Sequence, residues 1–290
     1  MTRLSNNNLD KRQKIDMIFR VMAQIATWSS LFILAILLYH ISISGIDRLS
    51  FDFLENFPSR FPYKAGIKSA LHGSIWMLVL VVIFSVPIGV GSAIYLEEYA
   101  PKNKITRFIE INISNLAGVP SIVYGILGLA IFVRFFHLDR SVLAGSLTMS
   151  LLILPVIIIS SRESIRAIPN SIRLGAYAVG ATKFQTIQHH VLPMATPGIL
   201  TGVILSMSRA IGETAPLIMI GALTYVAFVP ESIMDPFTTL PIQVFNWASR
   251  PQAAFHEVAA AGIIILLIVL LFMNAIAIFL RNYSNKKYDI

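Results

Sequence analysis

"GILTGVILSMSRAIGETAPLIMIGAL", residues 198–223, reads as a lipid-spanning helix with two charges in its middle. Arg209 and Glu213 have apolar runs on both sides. A charge at the centre of a bilayer costs roughly 2.5–3.5 kcal/mol on insertion scales, so a residue placed there needs compensation or a task. Four positions apart, the two side chains share one helix face and can pair. Gly212 and Pro216 flank Glu213 and loosen the backbone ladder, which is tolerated at membrane depth only where protein buries it or a cavity lies beside it. Arginine also presents a planar donor fork that oxyanions match. The stretch therefore reads either as a static ion pair between helices or as part of a polar path.

The rest of the chain agrees that the surroundings are lipid. Of 290 residues, 56% are hydrophobic and 13% charged, where a soluble domain carries about a quarter charged. The apolar residues fall in blocks long enough to cross a hydrocarbon core ~30 Å thick. Six spans are expected, at 21–44, 70–95, 113–136, 141–160, 197–225 and 258–280, giving an all-α polytopic protein with tails at 1–20 and 281–290. Residues 21–44 are too long for a signal h-region and no small-x-small site closes them, so they read as a retained span. No internal repeat divides the chain. With the N-terminus inside, fifteen Lys and Arg lie on the cytoplasmic side and seven outside. That excess sets both termini in the cytoplasm, and the acids divide seven and seven, so topology alone accounts for the net +8 without any nucleic acid. Cysteine is absent, which excludes disulfides and thiolate chemistry.

The long loop at about 161–196 has its own helical signals. Asn170 or Ser171 can cap a segment that ends at Gly180, and Thr182 with Gln185 forms a capping box for a second short helix. Phe184, Ile187 and Val191 fall on one side of it. Two uses fit: an amphipathic connector on the membrane surface, or a docking element for a cytoplasmic partner. Other features are blander. His72, His137 and His256 sit near span ends, and "FHEVA" lacks the second histidine of a zinc-protease helix. Trp76, Trp247 and Tyr225 read as interface-belt aromatics, and Gly89/Gly91 and Ser121/Gly125/Gly128 as small-residue packing rows. No Gly-x-x-x-x-Gly-Lys-Ser/Thr occurs to cradle ATP phosphates.

Residues 174–193 resemble the EAA loop of ABC-importer permeases, the MetI-like integral membrane family. Ala176, Gly180 and the Leu192-Pro193 pair stand at the motif's spacing, while Leu174, Gly175 and His190 replace its usual Glu, Ala and Ile. "VPIGVGSAIYLEEYAP" (86–101), "AGVPSIVYGILGL" (117–129) and "RAIGETAPL" (209–217) occur in the order found in phosphate-specific ABC importer permeases, and Ala-Pro-Leu after Gly-Glu-Thr is similar to the PstA type. The resemblance implies a type I importer fold in a bacterial inner membrane and a substrate path containing Arg209, Glu213 and Thr214. It implies ATPase coupling through Ala176, Gly180, Thr182, Phe184, Gln185, Ile187, Leu192 and Pro193. The partners it implies are a PstC-type homologous permease subunit, a cytoplasmic ATPase dimer that binds the ATP and magnesium, an extracytoplasmic phosphate-binding protein, and lipid, with inorganic phosphate as substrate. This chain itself would hold no cofactor or metal and catalyse no bond-making step. A permease for another oxyanion or small solute shares these features; an ion-coupled carrier or channel, with Glu213 as a proton site, has no use for the loop.

Overall fold

A backbone in hydrocarbon has to satisfy its own N–H and C=O groups, and a helix does this within one segment. The computed structural model describes residues 3–222 and 225–287 and is built of helices, with one isolated bridge, Ser141 to Pro236, as the extended pairing among the described residues. Residues 1–2, 223–224 and 288–290, which fall in the N-tail, the end of the expected fifth span and the C-tail, lie outside that description.

In chain order the helices are α1 (Arg3–Gly45), α2 (Phe51–Glu55), α3 (Lys68–Ile94), α4 (Lys104–Ala117), α5 (Ser121–Gly128), α6 (Val142–Arg166), α7 (Asn170–Ala178), α8 (Lys183–Thr186), α9 (Leu192–Gly212), α10 (Ala215–Ile220), α11 (Leu240–Ala248) and α12 (Ala253–Lys287). Three π-helical stretches extend them: Tyr95–Tyr99 after α3, Leu129–Phe135 after α5 and Ile187–Val191 between α8 and α9. Among the described residues five helical segments, built on α1, α3, α6, α9 and α12, are long and apolar enough to cross a membrane.

The third expected span, 113–136, is not one helix. α4 and the α5 segment qualify only as a pair bent by 103°. The reason lies in "GVP": Pro120 has no amide to continue the ladder and disfavours the helical conformation of the residue before it. Residues 113–117 therefore belong to α4, which starts where the Asn103 side chain accepts the Thr106 amide at 2.9 Å. The expected span 197–225 is likewise corrected. α9 starts earlier, at Leu192, and stops at Gly212, and α10 is a separate element. α6 runs to Arg166, six residues past its expected end.

α6 is the centre of the bundle. Met149, Ile153, Ile157, Ser161 and Ile165 along it are buried, and it packs between α3 and α9 and against α5. Glycine allows these approaches. A Cβ on Gly89 would come within 2.6 Å of the Ile157 side chain, and one on Gly202 would overlap Ser160. Gly128 lies against Thr148 in the same way, and a Cβ on Gly125 would fall 2.7 Å from the Pro216 backbone. Of the small-residue rows, Gly91 is the exception, because it faces open space.

On the α2 side the connection between α10 and α12 folds back over the bundle. Val142 and Leu143 amides donate to the Asp235 and Ile233 carbonyls at 3.0 and 2.8 Å, and the Leu240 amide donates to Ser74 Oγ at 2.8 Å. Trp247 of α11 is fully buried, its ring 5.9 Å from Phe53. The interface-belt assignment of Trp247 is therefore overturned: burying a ring of this size in the satellite core gains more than solvating its edge. From residue 12 to residue 40 α1 is exposed in this chain, and at its end Gly45 rests on Ala260 and Ala261 of α12.

Overpacking the α6–α9 contact should unfold the protein sooner. Gly202→Val is expected to cost about 1–3 kcal/mol and to lower Tm in detergent by several degrees, whereas Gly91→Ala leaves it unchanged. Equal Tm for Gly202→Val and the wild type would show that α9 does not press on α6.

Candidate functional site

α9 ends because nothing allows it to continue. Glu213 is extended (φ −77°, ψ 125°), and Pro216 in the first turn of α10 donates no amide back to α9. α10 then closes with its last carbonyls taken by the Gly221 and Ala222 amides, Gly221 being left-handed at φ 91°. The break puts Arg209 on the last turn of one helix and Glu213 and Thr214 in the gap before the next. Arg209 Nε donates to Glu213 Oε1 at 3.2 Å, as their spacing suggested. The pair is not sealed: the Arg209 side chain is 43% exposed and that of Glu213 21%.

Neighbouring elements fix this geometry. Gly125 of α5 sits backbone to backbone on Pro216, so α5 forms one wall of the break. Next to Arg209, Ser208 Oγ donates to Asn274 Oδ1 of α12 at 2.7 Å. A guanidinium held at a helix end beside a carboxylate, with both still accessible, can attract an anion and discriminate by its protonation.

The loop after α6 forms the second part of the site. α7 starts at Asn170, but its cap position is Pro169, so the capping role expected of Asn170 or Ser171 is replaced by proline. Gly180 is left-handed at φ 85° and turns the chain from α7 to α8. The capping box is present: Thr182 Oγ1 accepts the Gln185 amide at 3.3 Å, and Gln185 Oε1 accepts the Thr182 amide at 2.9 Å. The apolar side chains divide, correcting the single stripe read from sequence. Ile187 and Val191 are buried in the bundle, as is Ala176, while Phe184 is 65% exposed. The division follows the packing: the Ile187–Val191 turn lies against α7 and α9, which cover Ile187 and Val191, while Phe184 on α8 is left outside. Leu174 and Val179 are exposed beside Phe184's loop, and Leu192 and Pro193 begin α9 half-buried.

One feature has no counterpart among the residues singled out in the sequence. Glu97 Oε1 and Oε2 accept from Arg166 Nε and Nη2 at 3.1 and 2.9 Å, and Arg162 Nη2 reaches Glu110 of α4 at 2.8 Å and Glu97 at 3.4 Å. Glu98 Oε1 accepts from Arg173 Nη2 and Nε at 2.6 and 3.0 Å, and both partners are largely buried. Arg173 also donates to the Ile168 and Ile165 carbonyls. The signal was available: two adjacent acids close one apolar block, and two arginines four apart close another. Among the described residues no cluster of three or more His, Asp or Glu is arranged for a metal. His72 and His256 instead meet the backbone carbonyls of Lys68 and Arg250.

The fold is a helical bundle with a broken helix and a capped loop, and comparison with known proteins gives the class. Residues 85–289 match the family described as binding-protein-dependent transport system inner membrane component, and the chain belongs to that family. It is 31% identical over 267 residues to the probable ABC transporter permease protein YqgI of Bacillus subtilis, covering 88% of this chain and 91% of that protein. It is 36% identical over 212 residues to the phosphate transport system permease protein PstA of Mycobacterium leprae (71% and 68%), and 31% identical over 271 residues to PstA of Yersinia pestis (92% and 90%). The fold matches a subunit of a bacterial ABC transporter that imports alginate, with TM-score 0.65 at 14% identity, covering 95% of this chain and 99% of that one. The protein is thus an all-α, multi-pass membrane permease of the ABC-importer fold.

The capped loop has its own test. Thr182→Ala should lose about 1 kcal/mol of local stability, read as roughly fivefold faster amide exchange over 183–186, with exchange in α9 unaffected. Unchanged exchange in the short helix would mean the box does not hold it.

Proposed function

We propose that this chain is a transmembrane subunit of an ATP-driven phosphate importer, forming one half of the path and coupling it to separate ATPase subunits. The observation that carries the reading is the loop 167–191: two short helices fixed to the bundle, with Leu174, Val179 and Phe184 left exposed. Apolar side chains held rigidly outside the bundle suit a groove on another protein. Phosphate as the substrate is supported by the PstA relatives and by a guanidinium and carboxylate at the broken helix. Both termini and this loop lie in the cytoplasm, on the side of the fifteen basic residues.

On this reading the second half of the path is a homologous PstC-type subunit. An ATPase dimer holding ATP and magnesium docks at the loop, and a phosphate-binding protein delivers substrate from outside. Closure of the ATPases moves the loop and shifts the bundle between states that bind phosphate differently, as alternating access requires. Arg209 attracts the anion at the break. Glu213 accepts a hydrogen bond from an oxyanion that keeps a proton near neutral pH, as phosphate does, and repels one that keeps none, as sulfate does. Thr214 adds a hydroxyl in the gap. No step makes or breaks a covalent bond on this chain. Transport of another oxyanion by the same machinery is the second reading, favoured only if selectivity proves to lie elsewhere.

Reconstituted complex separates these roles. Phe184→Asp should weaken ATPase co-purification about tenfold, a ~1.4 kcal/mol loss, and abolish uptake while the chain still inserts. Arg209→Gln should abolish phosphate and sulfate uptake alike. Glu213→Gln should lower phosphate uptake and raise sulfate uptake without raising arsenate uptake, measured without the binding protein. Wild-type uptake in Phe184→Asp would overturn the coupling assignment, and an unchanged phosphate-to-sulfate ratio in Glu213→Gln would remove the selectivity role.

A further inference from the structure

Three consecutive side chains at the end of α3 address three different elements. Glu97 binds Arg166 and Arg162 of α6, Glu98 binds Arg173 of α7, and the Tyr99 ring carries Lys183 Nζ of α8 at 4.9 Å from its centroid. Successive side chains on a helix lie ~100° apart, so three in a row cover about 200° of its circumference. These three stand on the π-helical turn Tyr95–Tyr99, where the Ala100 amide bonds back to the Tyr95 carbonyl at 2.8 Å. The wider turn is a common local solution where a helix must aim side chains that a regular ladder would misplace.

We infer that this turn is the relay between the loop 167–191 and the transmembrane helices, with Glu98 as its positioning residue. The inference rests on the reading of that loop as the ATPase-coupling element. The loop is tied to α3 on both sides of its Gly180 turn, by Arg173 before it and Lys183 after it. The two ties differ in stiffness. Lys183 over Tyr99 is a single cation–π contact, whereas the Arg173 guanidinium is fully engaged. It forks onto Glu98 Oε1 through Nη2 and Nε and donates to the last carbonyls of α6 and the turn beyond it, Ile165 at 3.1 Å and Ile168 at 2.7 Å. With Glu98 side chain 7% exposed and Arg173 14% exposed, this fork sits out of water, where a charge left without its partner is strongly penalised. α7 therefore moves only together with the ends of α3 and α6. Glu97 holds those two ends to each other through Arg162 and Arg166, so a displacement of the loop reaches both helices at once. From there α3 runs unbroken to Lys68, pressing Gly89 on Ile157 of α6.

The test uses the whole transporter with its ATPase, partner permease and binding protein, in lipid nanodiscs. It measures ATP hydrolysis with and without phosphate-loaded binding protein. Glu98→Gln keeps the side-chain shape and is expected to retain ATPase co-purification and basal hydrolysis while losing stimulation about five- to tenfold, the size of an ordinary coupling between sites. Because this chain has no cysteine, the double variant Glu98→Cys/Arg173→Cys carries the two thiols of the chain. Its stimulation should be lost when reduced and regained when a short bis-maleimide, adding one thiol to each of its two ends, bridges the pair, which a purely stabilising role would not produce. Wild-type stimulation in Glu98→Gln, or no recovery on bridging, overturns the relay. A wild-type complex that hydrolyses ATP without any stimulation overturns the importer reading itself, and the relay with it.

Discussion

The close approach of α6 to its neighbours holds the bundle, and every functional feature is placed relative to it. Lipid tails are as apolar as leucine, so helices in a membrane gain little from hiding apolar surface and associate by tight contact instead. Here the contact is made by glycine facing small or branched side chains: Gly89 on Ile157, Gly202 on Ser160, Gly198 on Ser164 and Gly128 on Thr148. The hydroxyls involved are not left unsatisfied. Ser160, Ser164 and Thr148 donate to carbonyls of their own helix three or four residues back, at 3.1, 2.8 and 2.7 Å. They can therefore present a small, dry face to a glycine at no hydrogen-bonding cost.

That packing decides where the helices may be irregular. α9 is seated on α6 through Gly198 and Gly202 and latched to α12 by Ser208 and Asn274, so its last turn has little freedom. The backbone then departs from helix at Glu213, and the first turn of α10 is braced where the Pro216 backbone rests on Gly125 of α5. A break held from both sides keeps two charges and a threonine at a defined position. An unsupported break at the same depth would collapse or fray. The pair is thus a product of the packing, and the packing leaves it partly exposed.

Much of this was legible in the sequence, and the failures have physical causes. Long apolar blocks revealed the spans because length and hydropathy are local properties. The capping box and Gly180 were legible because their chemistry is confined to a few residues. The bend after α4 was missed although Pro120 marks it, because the apolar residues of α4 and α5 merge into one hydropathic block. Trp247 was misassigned because an aromatic near a span end looks the same whether it faces headgroups or, as here, Phe53. The ionic cluster was hidden for a different reason. Its members, Glu97, Glu98, Glu110, Arg162, Arg166 and Arg173, lie on four elements, and pairing across such separations follows only from the fold.

The same cluster explains the motif's departure at Leu174. A polar residue at that position would be expected to tie the loop down, and its loss would seem to loosen it. In this chain the tie is made one residue earlier. Arg173 turns inward to Glu98 and to the Ile165 and Ile168 carbonyls, and on a helix the next residue points about 100° away. Leu174 is accordingly 66% exposed, beside Gly175, which has open space around it. With the anchoring charge at 173, position 174 is free to carry an apolar side chain outward, and Val179 and Phe184 of the same loop are exposed as well. What looks like a lost contact at 174 in the sequence is, in the structure, a contact made by the neighbouring Arg173 instead.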